Sequence, residues 1–144
     1  MQRFGPMLVA MVMLAPTAAS AGPSEDVASV VDRWAKAFNA NDVDALVKLY
    51  AADAVLIGPA GSTVNEGSDT IRKYYSRLEK SGDKVKMDVR KVVVLDDNVA
   101  YVAGFDEFTA VRNGQTGTSS NGFTMVLVRR DNQWLIAHQH SSRR

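Results

Sequence analysis

The sequence predicts an α+β domain in which three helices pack on one face of a strongly bent antiparallel sheet. Three observations lead there. Apolar residues recur at helical spacing through most of the stretch from Val27 to Leu78. From Lys84 onward the period changes to two, with Val85, Met87 and Val89 alternating with charged residues. The turn signals Asp96-Asp97-Asn98, Asn113-Gly114 and Asp131-Asn132 then divide the second half into consecutive strands of a meander. Helices followed by strands in one chain pack as two layers.

The first 21 residues stand apart. Arg3 supplies a positive charge, Met7–Ala15 is an apolar run too short to span a bilayer, and Ala19-Ser20-Ala21 offers small residues where a signal peptidase cuts. Residues 1–21 are therefore expected to be a cleaved signal peptide and 22–144 a single domain, periplasmic or secreted by a bacterium, with no stable membrane insertion after cleavage. Without Arg3, basic and acidic residues balance at 16 each, so charge gives no reason to expect nucleic acid as a partner. The chain has no cysteine, so neither disulfides nor thiolate chemistry applies, and with no lipobox a lipoprotein is not expected.

In chain order, Ser24 is the expected cap of a first helix, with Glu25 and Asp26 favourable to its dipole. Val27, Val30, Val31, Trp34, Ala37 and Phe38 form its apolar stripe. Asn39-Ala40-Asn41 ends it, and Asp42 caps a shorter helix with the stripe Val43, Leu46, Val47 and Tyr50. Ala54–Ile57 reads as a short strand closed by Gly58-Pro59-Ala60-Gly61. Ser68 or Asp69 caps a third helix that turns Ile71, Tyr74, Tyr75 and Leu78 inward. Val92–Leu95 is continuously apolar, which predicts cover on both faces, and strands follow over Val99–Val111, Gly117–Arg130 and Trp134–Ser142.

This order, with VVDRW, AFNANDVDALVKLYAADA, the Pro59-Ala60-Gly61 turn, Gly67 and IRKYY, resembles the helical half of the bacterial ketosteroid isomerases. The last third, FTMVLVRRDNQWLIAHQHSS, resembles the SnoaL-like proteins and the association domain of calcium/calmodulin-dependent protein kinase II. Both belong to the nuclear-transport-factor-2-like superfamily. The resemblance implies a cone-shaped fold, a bent sheet wrapped around three helices with a pocket between. It also implies where isomerase chemistry would sit, and those positions are altered here. The first-helix tyrosine donor is matched by Trp34, and the general-base aspartate by Gly58. The acid expected on a late strand has no counterpart between Gly117 and Val128. Tyr75 matches a pocket tyrosine, and Tyr50 lies where another aromatic lines the isomerase pocket.

The expected ligand-binding set is Trp34, Tyr50, Tyr75, Tyr101, His138 and His140. On a regular strand both histidines share a face with Trp134 and Ile136. They admit roles in proton transfer, in anchoring a ligand, or in stabilising the sheet or a subunit interface; the sequence places no third ligand that would make them a metal site. Asp106 and Glu107 face opposite ways, which allows one of them to enter the pocket as an acid or base and makes Asp106 a catalytic candidate beside His138 and His140; the other reading is an exposed pair near a strand end. Asp53 is expected to tie down the turn after the second helix. No cofactor and no metal are expected.

These features predict an exported protein that binds a hydrophobic small molecule in an aromatic-lined pocket, lacks the isomerase set, and forms a homodimer through the outer face of the meander. Two alternatives stay open: an isomerase, dehydratase or hydrolase of the same fold acting on a hydrophobic cyclic substrate, and an oligomerisation module.

Overall fold

The computed structural model describes residues 22–61 and 63–144. The expected signal peptide lies outside them. Among the described residues no helix is long and apolar enough to cross a membrane.

Helix α1 (Pro23–Asn39) begins at Pro23 with Gly22 as its cap, so Ser24 lies inside the first turn instead of capping it. Proline fixes the backbone there and has no N–H to satisfy. Helix α2 (Val43–Val47) starts as expected, with the Asp42 carboxylate accepting from the Ala45 N–H at 2.9 Å. Tyr50 is the first residue of strand β1 (Tyr50–Ile57), not the end of the α2 stripe; α2 stops at Val47 and the strand begins four residues earlier than expected. A short strand β2 (Val64–Glu66) follows, and α3 (Gly67–Tyr75) runs into a single 3₁₀ turn, Ser76–Leu78. Glu66 precedes α3 with no side-chain cap, so neither Ser68 nor Asp69 takes that role. Strands β3 (Lys84–Asp96), β4 (Val99–Arg112), β5 (Gln115–Arg130) and β6 (Gln133–Arg143) complete the chain.

All six strands form one sheet in the order β2-β1-β6-β5-β4-β3. The meander β3 to β6 is antiparallel, as expected, but β1 pairs with β6 in parallel, so the sheet is mixed. The helical segment carries the chain from β2 across to β3 on the opposite edge of the sheet. Asn113-Gly114 and Asp131-Asn132 both turn with positive φ at each residue, the geometry that joins twisted strands in two residues.

Buried residues alternate along β4 and β5: Ala100, Val102 and Asp106, and Asn121, Phe123, Met125 and Leu127. They face α1, whose own stripe is buried as predicted. Irregularities in register bend the strands. In β3 one lies between Met87 and Arg90, where Gly104 comes so close that an added Cβ would sit 2.0 Å from the Val89 carbonyl oxygen. It turns Val89 into solvent, and Leu95 at the second β3 irregularity is also exposed, so this edge of the sheet is not covered on both faces. A further irregularity, between β5 and β6, decides the site.

Candidate functional site

On β6 the residue opposite Val126 is His138, but the residue opposite Leu127 is Ile136. Ala137 is therefore an extra residue with no partner, a β-bulge. A bulge inverts the alternation beyond it. Trp134 and Ile136 are buried before it, and Gln139 and Ser141 are buried after it. His138 is half-buried and His140 exposed, both on the face turned away from the helices. The expectation that the two histidines share a face with Trp134 and Ile136 is thus corrected: one inserted residue rotates them out of the cone and Gln139 into it. Tyr101 faces outward too, in a row across the outer surface formed by Val93, Tyr101, Val126, His138 and Val55.

The cone interior holds the remaining expected residues together. The Trp34 indole N–H donates to the Tyr50 hydroxyl at 2.9 Å and to the Tyr75 hydroxyl at 3.2 Å. Tyr50 donates to Gln139 Oε1 in a short hydrogen bond. The 2.7 Å contact between the two phenols therefore takes its proton from Tyr75. All four side chains are buried. Phe38 stacks edge-on against Tyr75 and Phe108, closing the apolar side. Burial pushes both phenols, Tyr50 and Tyr75, well above the ordinary tyrosine range, so they remain neutral donors.

The mouth of this site is closed by Tyr74. A Cβ built on Gly58 would lie 2.0 Å from the Tyr74 hydroxyl oxygen, so that hydroxyl occupies the space a side chain at position 58 would need. Arg77 stacks over the Tyr74 ring at 4.3 Å and donates to its hydroxyl at 3.1 Å. The space left between Trp34, Phe38, Leu56, Tyr74 and Gln139 is about 10 Å³, room for at most one water. The base position of the isomerase resemblance is thus vacant in sequence and filled in space by a tyrosine.

Asp106 points inward and Glu107 is exposed, so the pair does not lie together on the surface. Asp106 is buried and accepts from Asn121 Nδ2 at 2.9 Å. Burial raises its carboxyl above the usual range; the Asn121 bond opposes this and the Asp88 charge adds to it. Asn121 Oδ1 has no partner among the described residues. Neither group joins the Trp34–Tyr50–Tyr75–Gln139 network. Asp53 is held below the usual carboxylate range by the two-pronged Arg130 guanidinium, a tie from β1 to β5. No group of three His, Cys, Asp or Glu side chains converges among the described residues.

Gln139, Tyr74 and Arg77 are the members of the site that sequence reasoning missed. Tyr74 was legible as an inward aromatic of the third helix. Gln139 was not, since nothing in Ile-Ala-His-Gln-His marks where the strand gains a residue.

A SnoaL-like domain model matches residues 27–143. Among solved structures, a Xanthomonas campestris protein named for the calcium/calmodulin-dependent protein kinase II association domain is 30% identical, covers 92% of this chain and 98% of its own length, and superposes with a TM-score of 0.79. A ketosteroid isomerase-like protein from Erwinia carotovora atroseptica is 23% identical over 83% of this chain and 95% of that one, TM-score 0.73. A Novosphingobium aromaticivorans protein named for scytalone dehydratase shares 12% identity over 83% of each chain at TM-score 0.76, a likeness of fold alone. With the family model spanning nearly all of the described domain, this chain belongs to the SnoaL-like domain family, within the nuclear-transport-factor-2-like fold.

Proposed function

We propose that this protein is an exported, homodimeric binding protein for a hydrophobic small molecule and performs no isomerase chemistry. The observation that carries this is the closed, uncharged network at the cone apex. Trp34, Tyr50, Tyr75 and Gln139 hydrogen-bond one another, and no carboxylate or imidazole lies within it. A proton-transfer enzyme needs an acid or base within reach of its substrate. Here His138 and His140 lie behind the sheet and Asp106 bonds elsewhere.

Ligand entry requires Tyr74 and Arg77 to leave the mouth, because the closed cone has no room for a molecule larger than water. Aromatic walls with a few neutral polar tips suit a flat apolar compound bearing one or two oxygens. The outer face of the sheet supports the dimer: Val89, Leu95 and Phe105 are 66%, 63% and 40% exposed, beside the half-buried row from Val93 to Val55.

The test is fluorescence titration with the uncharged probe N-phenyl-1-naphthylamine, alongside mass spectrometry of compounds that co-purify. Saturable binding that tightens in Tyr74→Ala is expected; no binding by either form overturns the ligand reading. Light scattering at micromolar concentration should give a dimer mass, and amino-terminal sequencing of the exported protein should begin at Gly22. A monomer mass or an intact Met1 refutes the corresponding part.

A further inference from the structure

The phenols of the cone are spent on each other. The Trp34 N–H has two phenol oxygens, the Tyr75 proton goes to Tyr50, and the Tyr50 proton goes to Gln139 Oε1. This order also fixes the Gln139 amide. With Nε2 turned toward Tyr50 instead, Tyr50 would pass its proton to Tyr75, and the Tyr75 proton would have no acceptor in a buried place. With Oε1 there, every proton of the network has an acceptor. The amide N–H groups are left at the free end of the chain of hydrogen bonds.

Gln139 and Ser141 follow the Ala137 bulge on the inner face of β6, two residues and so about 7 Å apart along the strand. They are 5% and 3% exposed, and both line the residual space beside Tyr74 and Gly58. Neither Gln139 Nε2 nor Ser141 Oγ has a hydrogen-bond partner among the described residues. The side-chain atoms there that are both unpaired and sealed are Asn41 Oδ1, Asn121 Oδ1 and Trp134 Nε1. Gln139 Nε2 and Ser141 Oγ are unpaired without being sealed, so each keeps surface that a molecule in this space could touch. The two groups differ in what they accept as a partner. A hydroxyl donates or accepts, whereas an amide nitrogen only donates. Phe38, Leu56, Pro59 and Phe108 supply apolar walls around them, and no carboxylate lines the space.

We infer that Gln139 sets the specificity of the cone: its Nε2 donates to a carbonyl oxygen, and the ligand is a flat, apolar, uncharged carbonyl compound. The inference rests on the small-molecule reading above and names the class of molecule. The Ala137 bulge carries this choice. Without it the strand would turn His138 inward in place of Gln139.

The test is displacement of N-phenyl-1-naphthylamine from the Tyr74→Ala form by 1-tetralone and by tetralin, the same ring system without the oxygen. Adding Gln139→Met keeps the length of the side chain and removes the donor. The ratio of tetralone to tetralin affinity should then fall roughly three- to tenfold, the loss of one hydrogen bond. Taking the ratio cancels any loosening of the cone that the substitution causes. In the Tyr74→Ala form itself, the Gln139 side-chain N–H signals of isotope-labelled protein should move downfield with tetralone and not with tetralin. Probe displacement with the same ratio in both proteins overturns the Gln139 assignment and leaves the small-molecule reading intact. Amide signals that tetralone does not move overturn it too, even where Gln139→Met fails to fold. No probe binding at all overturns both readings.

Discussion

Removing the Tyr50 hydroxyl tests whether the cone apex is an ordered network or a loose aromatic cluster. In Tyr50→Phe the ring volume is kept, so no cavity term enters. The lost oxygen accepted from Trp34 at 2.9 Å and from Tyr75 at 2.7 Å and donated to Gln139. The Trp34 N–H keeps Tyr75 at 3.2 Å, but the Tyr75 proton and Gln139 Oε1 are left without partners in a buried place. Each orphaned group costs about 1–3 kcal/mol, which gives roughly 2–6 kcal/mol for the variant. Tyr75→Phe removes a hydroxyl too, yet Trp34 and Gln139 both keep Tyr50, so its cost is about 1 kcal/mol. For a domain of this size those values correspond to melting-temperature drops of about 8–25 °C and about 4 °C. Adding Gln139→Leu to Tyr50→Phe removes the orphaned acceptor, so the double variant should be more stable than the sum of its parts by about 1 kcal/mol or more. Thermal and urea unfolding of the wild type, the three single variants Tyr50→Phe, Tyr75→Phe and Gln139→Leu, and the double variant checks this. If Tyr50→Phe and Tyr75→Phe cost the same, the proton order Tyr75 to Tyr50 to Gln139 is refuted.

Gly58→Ala should cost about 1–3 kcal/mol, because its Cβ meets the Tyr74 hydroxyl, and Tyr74→Ala should recover most of that loss; urea unfolding of the single and double variants measures both. Burial raises the Asp106 carboxyl, so its folded-state pKa exceeds the unfolded value: its contribution to stability is full below about pH 4 and is lost as pH rises through the folded value. Asp106→Asn, which does not titrate, should therefore gain stability relative to wild type between pH 4 and neutrality, and a difference in unfolding free energy that stays flat with pH would refute this. The opposite sign holds for Asp83, whose carboxyl the Arg112 guanidinium holds below the usual range; Arg112→Ala should cost most above about pH 4 and least in acid. His138→Ala and His140→Ala should leave N-phenyl-1-naphthylamine binding unchanged, and a severalfold loss of affinity in either would put the histidines back inside the site.

Local pattern was sufficient where one periodicity dominated. The α1 stripe, the Asp42 cap, the two hairpin turns with positive φ and the α+β layering were legible because each depends on neighbours within a few residues. Convergence of Trp34 and Tyr75 was legible for the same reason, as both lie on inner helical faces. Tyr50 reached the site by another route: it was expected on a helix and is delivered by β1, since its phenol has partners only in the folded cone. The parallel pairing of β1 with β6 joins the two ends of the domain, which no local pattern records. The face of β6 was decided by tertiary structure as well. Trp134-Leu135-Ile136-Ala137-His138-Gln139-His140 suits either alternation, and the sheet resolves it by spending Ala137 on a bulge. The closure of the cone has the same origin. Sequence showed that Gly58 lacks a base, but only packing shows that Tyr74 fills the space, because that depends on the distance between a turn and a helix 16 residues apart.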